Sequence, residues 1–193
     1  MLEVECKYEV PDDFVLPSLE RPGWVVTDGG TVQLSATYYD TADLRLAGAR
    51  TTLRRRTGGK DAGWHLKVPS GADREEIARP LGDTNTVPAE LAAQVELHTH
   101  GAVLAPVARL DTTRTIRTVS ATDGTALVEV VNDFVHAQRL GSEGPPREWR
   151  EVEAELLTPA HEDALAEVGQ LLLEAGAVPS RHASKLAQAL GTG

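Results

Sequence analysis

The sequence predicts an α+β chain of mostly antiparallel, barrel-like β-structure with helices inserted and appended. Three observations carry this. β-rich runs recur from end to end, broken by turns containing Gly, Asp and Pro. Helical spacing appears in four short places, two of them closing the chain. Several strands carry charge at every second residue and apolar side chains between, so each has one charged and one apolar face.

Taken in order, "LEVECKYEV" (2–10) opens as a strand. Residues 24–40 read as two β-rich runs around a turn at Asp28-Gly29-Gly30. Residues 41–49 form a short helix, with Asp40 or Thr41 as cap and Gly48 near its end. A strand over 50–58, a turn over 58–63 and a strand over 64–69 make a hairpin, and 74–81 adds a strand closed by Pro80. Residues 88–99 are helical, with Pro88 at the first position and Gly101 just past the end. Strands resume at 107–120, 125–133 and 134–140, with a turn at 122–124, a loop at 141–146 and a long strand at 147–157. Apolar spacing at Leu165, Val168, Leu172 and Leu173 marks a helix over 160–177, and 180–190 is a last short helix. No repeat and no linker stands out, so residues 1–193 read as one domain.

Composition narrows the function. The formal net charge of −10 disfavours nucleic-acid binding, which a basic surplus usually marks. The single cysteine, Cys6, excludes an internal disulfide framework and a multi-thiolate zinc site. No apolar run approaches the ~20 residues of a membrane span, and no secretory leader is visible, so the expected setting is cytoplasmic, with no membrane partner. One compact basic cluster, "LRRR" at 53–56, suits a small anionic ligand better than a long polyanion.

The charge pattern sharpens that. Glu3, Glu5 and Lys7 share a face; so do Arg54 and Arg56 on either side of Arg55, Glu129 and Asp133, and Glu151, Glu153 and Glu155. A solvated outer face would account for any one of these strands. As a set they are nearly sign-pure, and like charges at alternate strand positions lie roughly 7 Å apart and repel. A closed sheet with a charged interior explains the set better. Its carboxylates would hold Mg²⁺ or Mn²⁺ through oxygen ligands, and its arginines and lysines would grip phosphate oxygens. Other features read as structural. His98 and His100 are two apart on a helix and do not face each other. Cys6 falls on the apolar face, and Trp24, Trp64 and Trp149 read as wall or core. Gly58-Gly59 is a hairpin turn rather than a phosphate-binding loop before a helix.

"EVECK" (3–7) resembles the Glu-x-Glu-x-Lys signature of the CYTH superfamily, which includes triphosphate tunnel metalloenzymes, thiamine triphosphatases and class IV adenylyl cyclases. Segments 38–47, 51–69, 150–156 and 180–190 resemble family segments in family order, so the likeness covers essentially the whole chain. It implies an eight-stranded antiparallel β-barrel forming a charged tunnel, with helices packed outside. It implies Glu3 and Glu5 as metal-binding acids, with Glu129, Asp133 and two of Glu151, Glu153 and Glu155 completing the set. It implies Lys7, Arg54, Arg56, Lys67, Arg114 and Lys185 as phosphate ligands, with Arg117 competing for the Arg114 role and Arg181 a helper. Lys7, Glu5 and Arg56 stand closest to the chemistry. The implied activity is Mg²⁺- or Mn²⁺-dependent hydrolysis of a triphosphate, inorganic triphosphate foremost, to phosphate and diphosphate. The alternatives are an adenylyl cyclase of class IV type and a polyphosphate- or nucleotide-binding sensor without turnover. The full charged set speaks against a non-catalytic copy. The chain also resembles bacterial CYTH domains that precede a CHAD domain, and the expected oligomeric state is monomer or homodimer.

Overall fold

The computed structural model describes residues 2–71, 73–141 and 144–191; the side chains of Leu2, Glu3 and Asp73 lie outside what is described. The strands are β1 (Leu2–Glu3), β2 (Glu5–Val10), β3 (Trp24–Asp40), β4 (Thr52–Thr57), β5 (Gly63–Ser70), β6 (Asp73–Arg79), β7 (Ala105–Ala121), β8 (Ala126–Arg139), β9 (Arg147–Leu156) and β10 (Val178–Pro179). The helices are α1 (Arg45–Gly48), α2 (Ala89–Gln94), α3 (Glu96–Thr99), α4 (Glu162–Glu174) and α5 (Lys185–Leu190).

All strand pairs are antiparallel. Among the described residues they form one ten-stranded sheet in the order β1-β6-β5-β4-β3-β7-β8-β9-β2-β10. This corrects the expected closed ring of eight: the ladder is linear. The two ends of the ladder are bridged by the opening segment, which changes partners at Val4. Leu2 and Glu3 pair with β6 at one end of the sheet, while Glu5–Val10 pair with β9 near the other.

Two other expectations fail for a common reason. Residues 24–40 are one strand of 17 residues, not two runs about a turn. Asp28-Gly29-Gly30 is a bulge in the pairing with β7. The Asp28 carboxylate accepts from the Gly30 N–H at 2.7 Å, and Gly30 takes a φ of 76° that favours glycine. A Cβ on Gly29 would lie 2.9 Å from Ile116 Cβ. Likewise 126–139 is one strand, because Asp133 in its middle turns inward to charged partners and does not break it.

The helices are shorter than their patterns. The 88–99 stretch divides at Val95, whose side chain is buried, and Pro88 stands just before the first helical residue. The N-cap of α1 is Leu44, not the expected Asp40 or Thr41, and its side chain caps nothing; the Asp40 carboxylate, from outside the helix, accepts from the N–H groups of Thr41, Leu46 and Ala47 instead. α4 covers the apolar faces of β8, β9 and β2, burying Leu165, Val168, Leu171 and Leu172 against Tyr8, Val128, Val130, Val152 and Ala154. Leu173 is exposed, not a core residue. Tyr39, Leu53, Trp64 and Leu66 pack outward beneath α1 and α2. α5 departs from the expected outer covering. Its Leu186, Ala189 and Leu190 pack on Ala36, Tyr38, Leu110 and Val135, which lie on the same face as the inward charges. Among the described residues no helix is long and apolar enough to cross a membrane.

Candidate active site

The charged faces of the strands converge. Every strand from β2 to β9 contributes to a cavity of about 660 Å³, joined by Lys60 and Asp61 from the β4–β5 turn and by Ser184 and Lys185 at the start of α5.

Register orders the acids into rungs. Glu5, Glu155 and Glu129 lie directly abreast on β2, β9 and β8. One step along, Lys7 stands opposite Glu153; one more, Glu151 stands opposite Asp133, which faces Arg114 on β7. The rungs are not the frustrated array of like charges that the sequence suggests. Lys7 Nζ lies 3.0 Å from Glu5 and 3.4 Å from Glu153. Arg114 binds both oxygens of Asp133, at 2.8 and 2.7 Å, and reaches Glu153 at 3.3 Å. Lys185 Nζ sits among Asp133 at 3.0 Å, Glu153 at 2.9 Å and Glu151. The apparent repulsion along β9 is cancelled by cations from β2, β7 and α5.

The opposite wall is cationic. Arg54, Arg56 and Lys67 line the cavity from β4 and β5. The Nε atoms of Arg54 and Arg56 are buried without a hydrogen-bond acceptor. Arg54 donates to the Tyr38 hydroxyl at 3.3 Å, and Arg56 donates to the carbonyl and carboxylate of Asp61, both at 3.3 Å. The Asp61 carbonyl also accepts from His65 Nε2 at 2.8 Å, and His65 Nδ1 meets Glu76 at 2.7 Å. Lys60 reaches Glu129 at 3.0 Å, so the β4–β5 turn is tied to both walls.

Proton affinities follow these contacts. Burial and the neighbouring guanidinium groups of Arg54 and Arg114 bring Arg56 down to about 10. Burial opposes ionisation of Tyr38, yet Arg54, with Lys185 and Lys67 beyond it, leaves the phenol below its ordinary value. Burial alone would lower Lys7 and Lys185; the surrounding carboxylates outweigh it and hold both above the ordinary lysine range. Burial would raise Glu153, but Lys185, Lys7 and Arg114 hold it well below the carboxylate range. Glu151 goes up, chiefly through burial.

Of the residues that the sequence singles out, Glu5, Lys7, Arg54, Arg56, Lys67, Arg114, Glu129, Glu153, Glu155 and Lys185 line the cavity, and Asp133 and Glu151 join it through Lys185. Glu3 lies in β1, and its side chain is outside what is described. Two are not brought in. Arg117, an odd number of residues from Arg114, turns to the other face and pairs with Asp28 at 2.6 Å. Arg181 is exposed, and its backbone N–H donates to Glu9. Tyr38, Lys60, Asp61, His65 and Glu76 escaped the sequence reading. Strand alternation from Lys67 and Arg54 places His65 inward, but no charge pattern flags it. His98 and His100 are exposed, one in α3 and the other just past its end.

Carboxylate oxygens suit a hard divalent cation. Asp133, Glu151 and Glu153 each present a ligand atom within 4.8 Å of the others and could together hold one, in competition with the Lys185 ammonium. Among the described residues this is the group of three acids gathered so closely; Glu5, Glu155 and Glu129 share a rung and line the cavity without meeting that spacing.

The sequence matches the CYTH domain over residues 1–189. It is 43% identical, over 98% of its length, to an uncharacterized protein of Mycobacterium tuberculosis strain H37Rv, and equally to one of strain CDC 1551; it spans 40% of the length of each. The fold is similar to that of the PH1819 protein of Pyrococcus horikoshii (TM-score 0.56, 18% identity, 98% of each chain). It also resembles a candidate adenylate cyclase of Bacillus halodurans (TM-score 0.55, 16% identity, 97% of this chain and 96% of that one). A third likeness is to a candidate adenylyl cyclase of Hippeastrum described as having a dominant triphosphatase activity (TM-score 0.50, 16% identity, 98% and 95%).

Proposed function

Since this chain belongs to the CYTH domain family, we propose that its cavity binds a triphosphate with a divalent cation and hydrolyses it to phosphate and diphosphate, inorganic triphosphate being the favoured substrate. One observation carries the reading: a wall of arginines and lysine faces rungs of carboxylates across a single cavity, complementary to a metal-chelated polyphosphate. The Hippeastrum protein's triphosphatase activity supports it.

Phosphoryl transfer asks the protein mainly for positioning and charge neutralisation. Arg54 and Arg56 present buried donors that no protein acceptor uses, suited to non-bridging phosphate oxygens. Lys67 and Arg114 extend the cationic surface. Lys7, between Glu5 and Glu153, stands one rung beyond Glu5, Glu155 and Glu129 and orients the phosphate chain towards them. Glu5, Glu155 and Glu129 are the residues that would hold Mg²⁺ or Mn²⁺, with Glu153 beside them. The exposed Lys60 is the cation most readily exchanged there. When bound, such an ion neutralises phosphate charge and lowers the pKa of a coordinated water. Lys185 and Arg114 keep the Asp133–Glu151–Glu153 cluster compensated.

The test is direct. The protein is incubated separately with inorganic triphosphate, ATP and thiamine triphosphate, with Mg²⁺ or Mn²⁺, and products are identified. Phosphate plus diphosphate from triphosphate is the expected result. Cyclic AMP with diphosphate from ATP would replace the proposal with a cyclase, and binding without turnover would replace it with a sensor.

A further inference from the structure

Each of the three arginines of β4 has a buried Nε without an acceptor, and they do not share a face. Arg54 and Arg56 point into the central cavity; Arg55, between them, points to the other side of the sheet. There it lines a separate cavity of about 660 Å³ on the outer face of β4, β3 and β7. Its Nε is buried without an acceptor, as are those of Arg54 and Arg56.

Arg55 stands apart from the other outer arginines. Arg109, Arg117, Arg79 and Arg45 each pair with a carboxylate. Arg50, Arg139 and Arg181 are exposed, where water serves them. Among the described residues, Arg55 is half-buried and has neither a hydrogen-bond acceptor nor an ion-pair partner. A buried Nε–H left this way costs free energy that an anion recovers, and the two terminal nitrogens remain open to the cavity.

The surroundings are built for an anion's head and an apolar tail. Thr37 lies directly opposite Arg55 on β3, and Arg109 opposite Thr37 on β7. The next rung places Thr57 opposite Ser35. Three hydroxyls and two guanidinium groups thus line the cavity within two rungs; Arg109 is already paired with Asp111, and the Thr57 hydroxyl donates to the Ser35 carbonyl at a long 3.4 Å. Beyond them the lining turns apolar at Val87, Leu104 and Leu140. A planar carboxylate is satisfied by one guanidinium edge, whereas donors on several sides suit a tetrahedral head. The volume falls in the range of small-molecule sites.

We propose that this outer cavity is a second ligand site, distinct from the central one, that takes a small organic phosphate monoester, its head on Arg55, Thr37 and Thr57 and its apolar body against Val87 and Leu104.

The probe is phenyl phosphate, titrated into the protein and followed by proton–nitrogen correlation spectra. Amides of Thr37, Thr57 and Leu104 report the outer cavity; those of Thr52 and Lys67 report the central one. Saturable shifts are expected at the outer amides. They should persist in the Arg54→Gln/Arg56→Gln variant, and Arg55→Gln should weaken them by about tenfold or more. No outer shifts, or outer shifts unchanged in Arg55→Gln, would overturn the proposal. So would loss of the outer shifts in the double variant, which assigns them to the central cavity. Benzoate binding as tightly as phenyl phosphate overturns the choice of head group, and inorganic phosphate binding as tightly overturns the role of the apolar wall. If Arg55→Gln fails to fold, Thr37→Val, which keeps shape and removes one hydroxyl, decides: unchanged affinity rejects the site and a several-fold loss supports it. None of these outcomes bears on triphosphate hydrolysis, which is assayed separately.

Discussion

Replacing Lys185 by methionine tests the electrostatic account of the cavity floor. Lys185 is 9% exposed and is shared by three carboxylates. Removing one partner from a buried ionic network costs about 3–5 kcal/mol. Here part of the network survives: Arg114 still serves Asp133 at 2.7 Å and Glu153 at 3.3 Å, and Lys7 still serves Glu153 at 3.4 Å. Glu151 is left with the Trp149 indole N–H at 2.6 Å. The expected loss therefore lies at the lower end, about 3 kcal/mol near neutral pH. Its pH dependence has a definite sign. Glu153 is held well below its ordinary value of 4.5, so its contribution is present above that value and lost as pH falls through the folded one. Glu151 is raised, so keeping it ionised costs stability above 4.5, and losing Lys185 deepens that cost. Lys185 is raised, so its own contribution is present below 10.5 and lost as pH rises through the folded value. The deficit of the variant should thus be largest at intermediate pH and narrow on acidification. Urea unfolding of both proteins at pH of about 7 and about 4 measures it. A neutral-pH deficit under about 1 kcal/mol, or one equal at both pH values, refutes the reasoning. Mg²⁺ should stabilise the variant more than the wild type, because the Asp133–Glu151–Glu153 cluster then lacks its ammonium.

Arg54→Ala and Arg56→Ala should each lower triphosphate turnover by roughly 10²-fold or more, while Arg55→Ala, on the opposite face, changes it little; equal losses with the fold intact contradict the facing. Glu5→Gln should cost about 1 kcal/mol or less by losing the Lys7 pair, yet sharply reduce metal-dependent turnover, read by thermal melts beside product assays. Turnover should require a divalent cation and be inhibited by Ca²⁺, which tolerates looser geometry than Mg²⁺; undiminished turnover in excess chelator is the contrary result. His65→Ala releases the Asp61 carbonyl and so loosens Arg56, which should raise KM more than it lowers kcat; a fall in kcat at constant KM would speak against that role.

Alternation made much of the site legible. Arg54 and Arg56 inward and Arg55 outward, the joint face of Glu151, Glu153 and Glu155, and Lys7 with Glu5 all follow from the two-residue strand period. The period does not reveal register, so the pairing of Lys7 with Glu153 and of Arg114 with Asp133 was hidden, and acids that are compensated read as crowded. It resolves Arg114 from Arg117 only when strand β7 is known to run unbroken between them. Turn residues misled where tertiary contacts overruled them: Gly29 is a point of close approach to Ile116, not a reversal of the chain. The linear ladder of ten strands was out of reach, because nothing in "LEVECKYEV" marks Val4 as the place where one segment changes partners.

That change of partners has a kinetic consequence. Glu5 and Glu155 are neighbours in register yet about 150 residues apart in sequence, a separation whose loop-closure entropy must be met before their pairing returns any free energy. The hairpins β4–β5 and β7–β8 can form locally, whereas the β2–β9 ladder waits until most of the chain is in place. The acidic rungs are therefore expected to assemble last in refolding. Arg54 and Lys67, which need only one hairpin, come together early, so a refolding chain acquires its anion-attracting wall before its cation-attracting one.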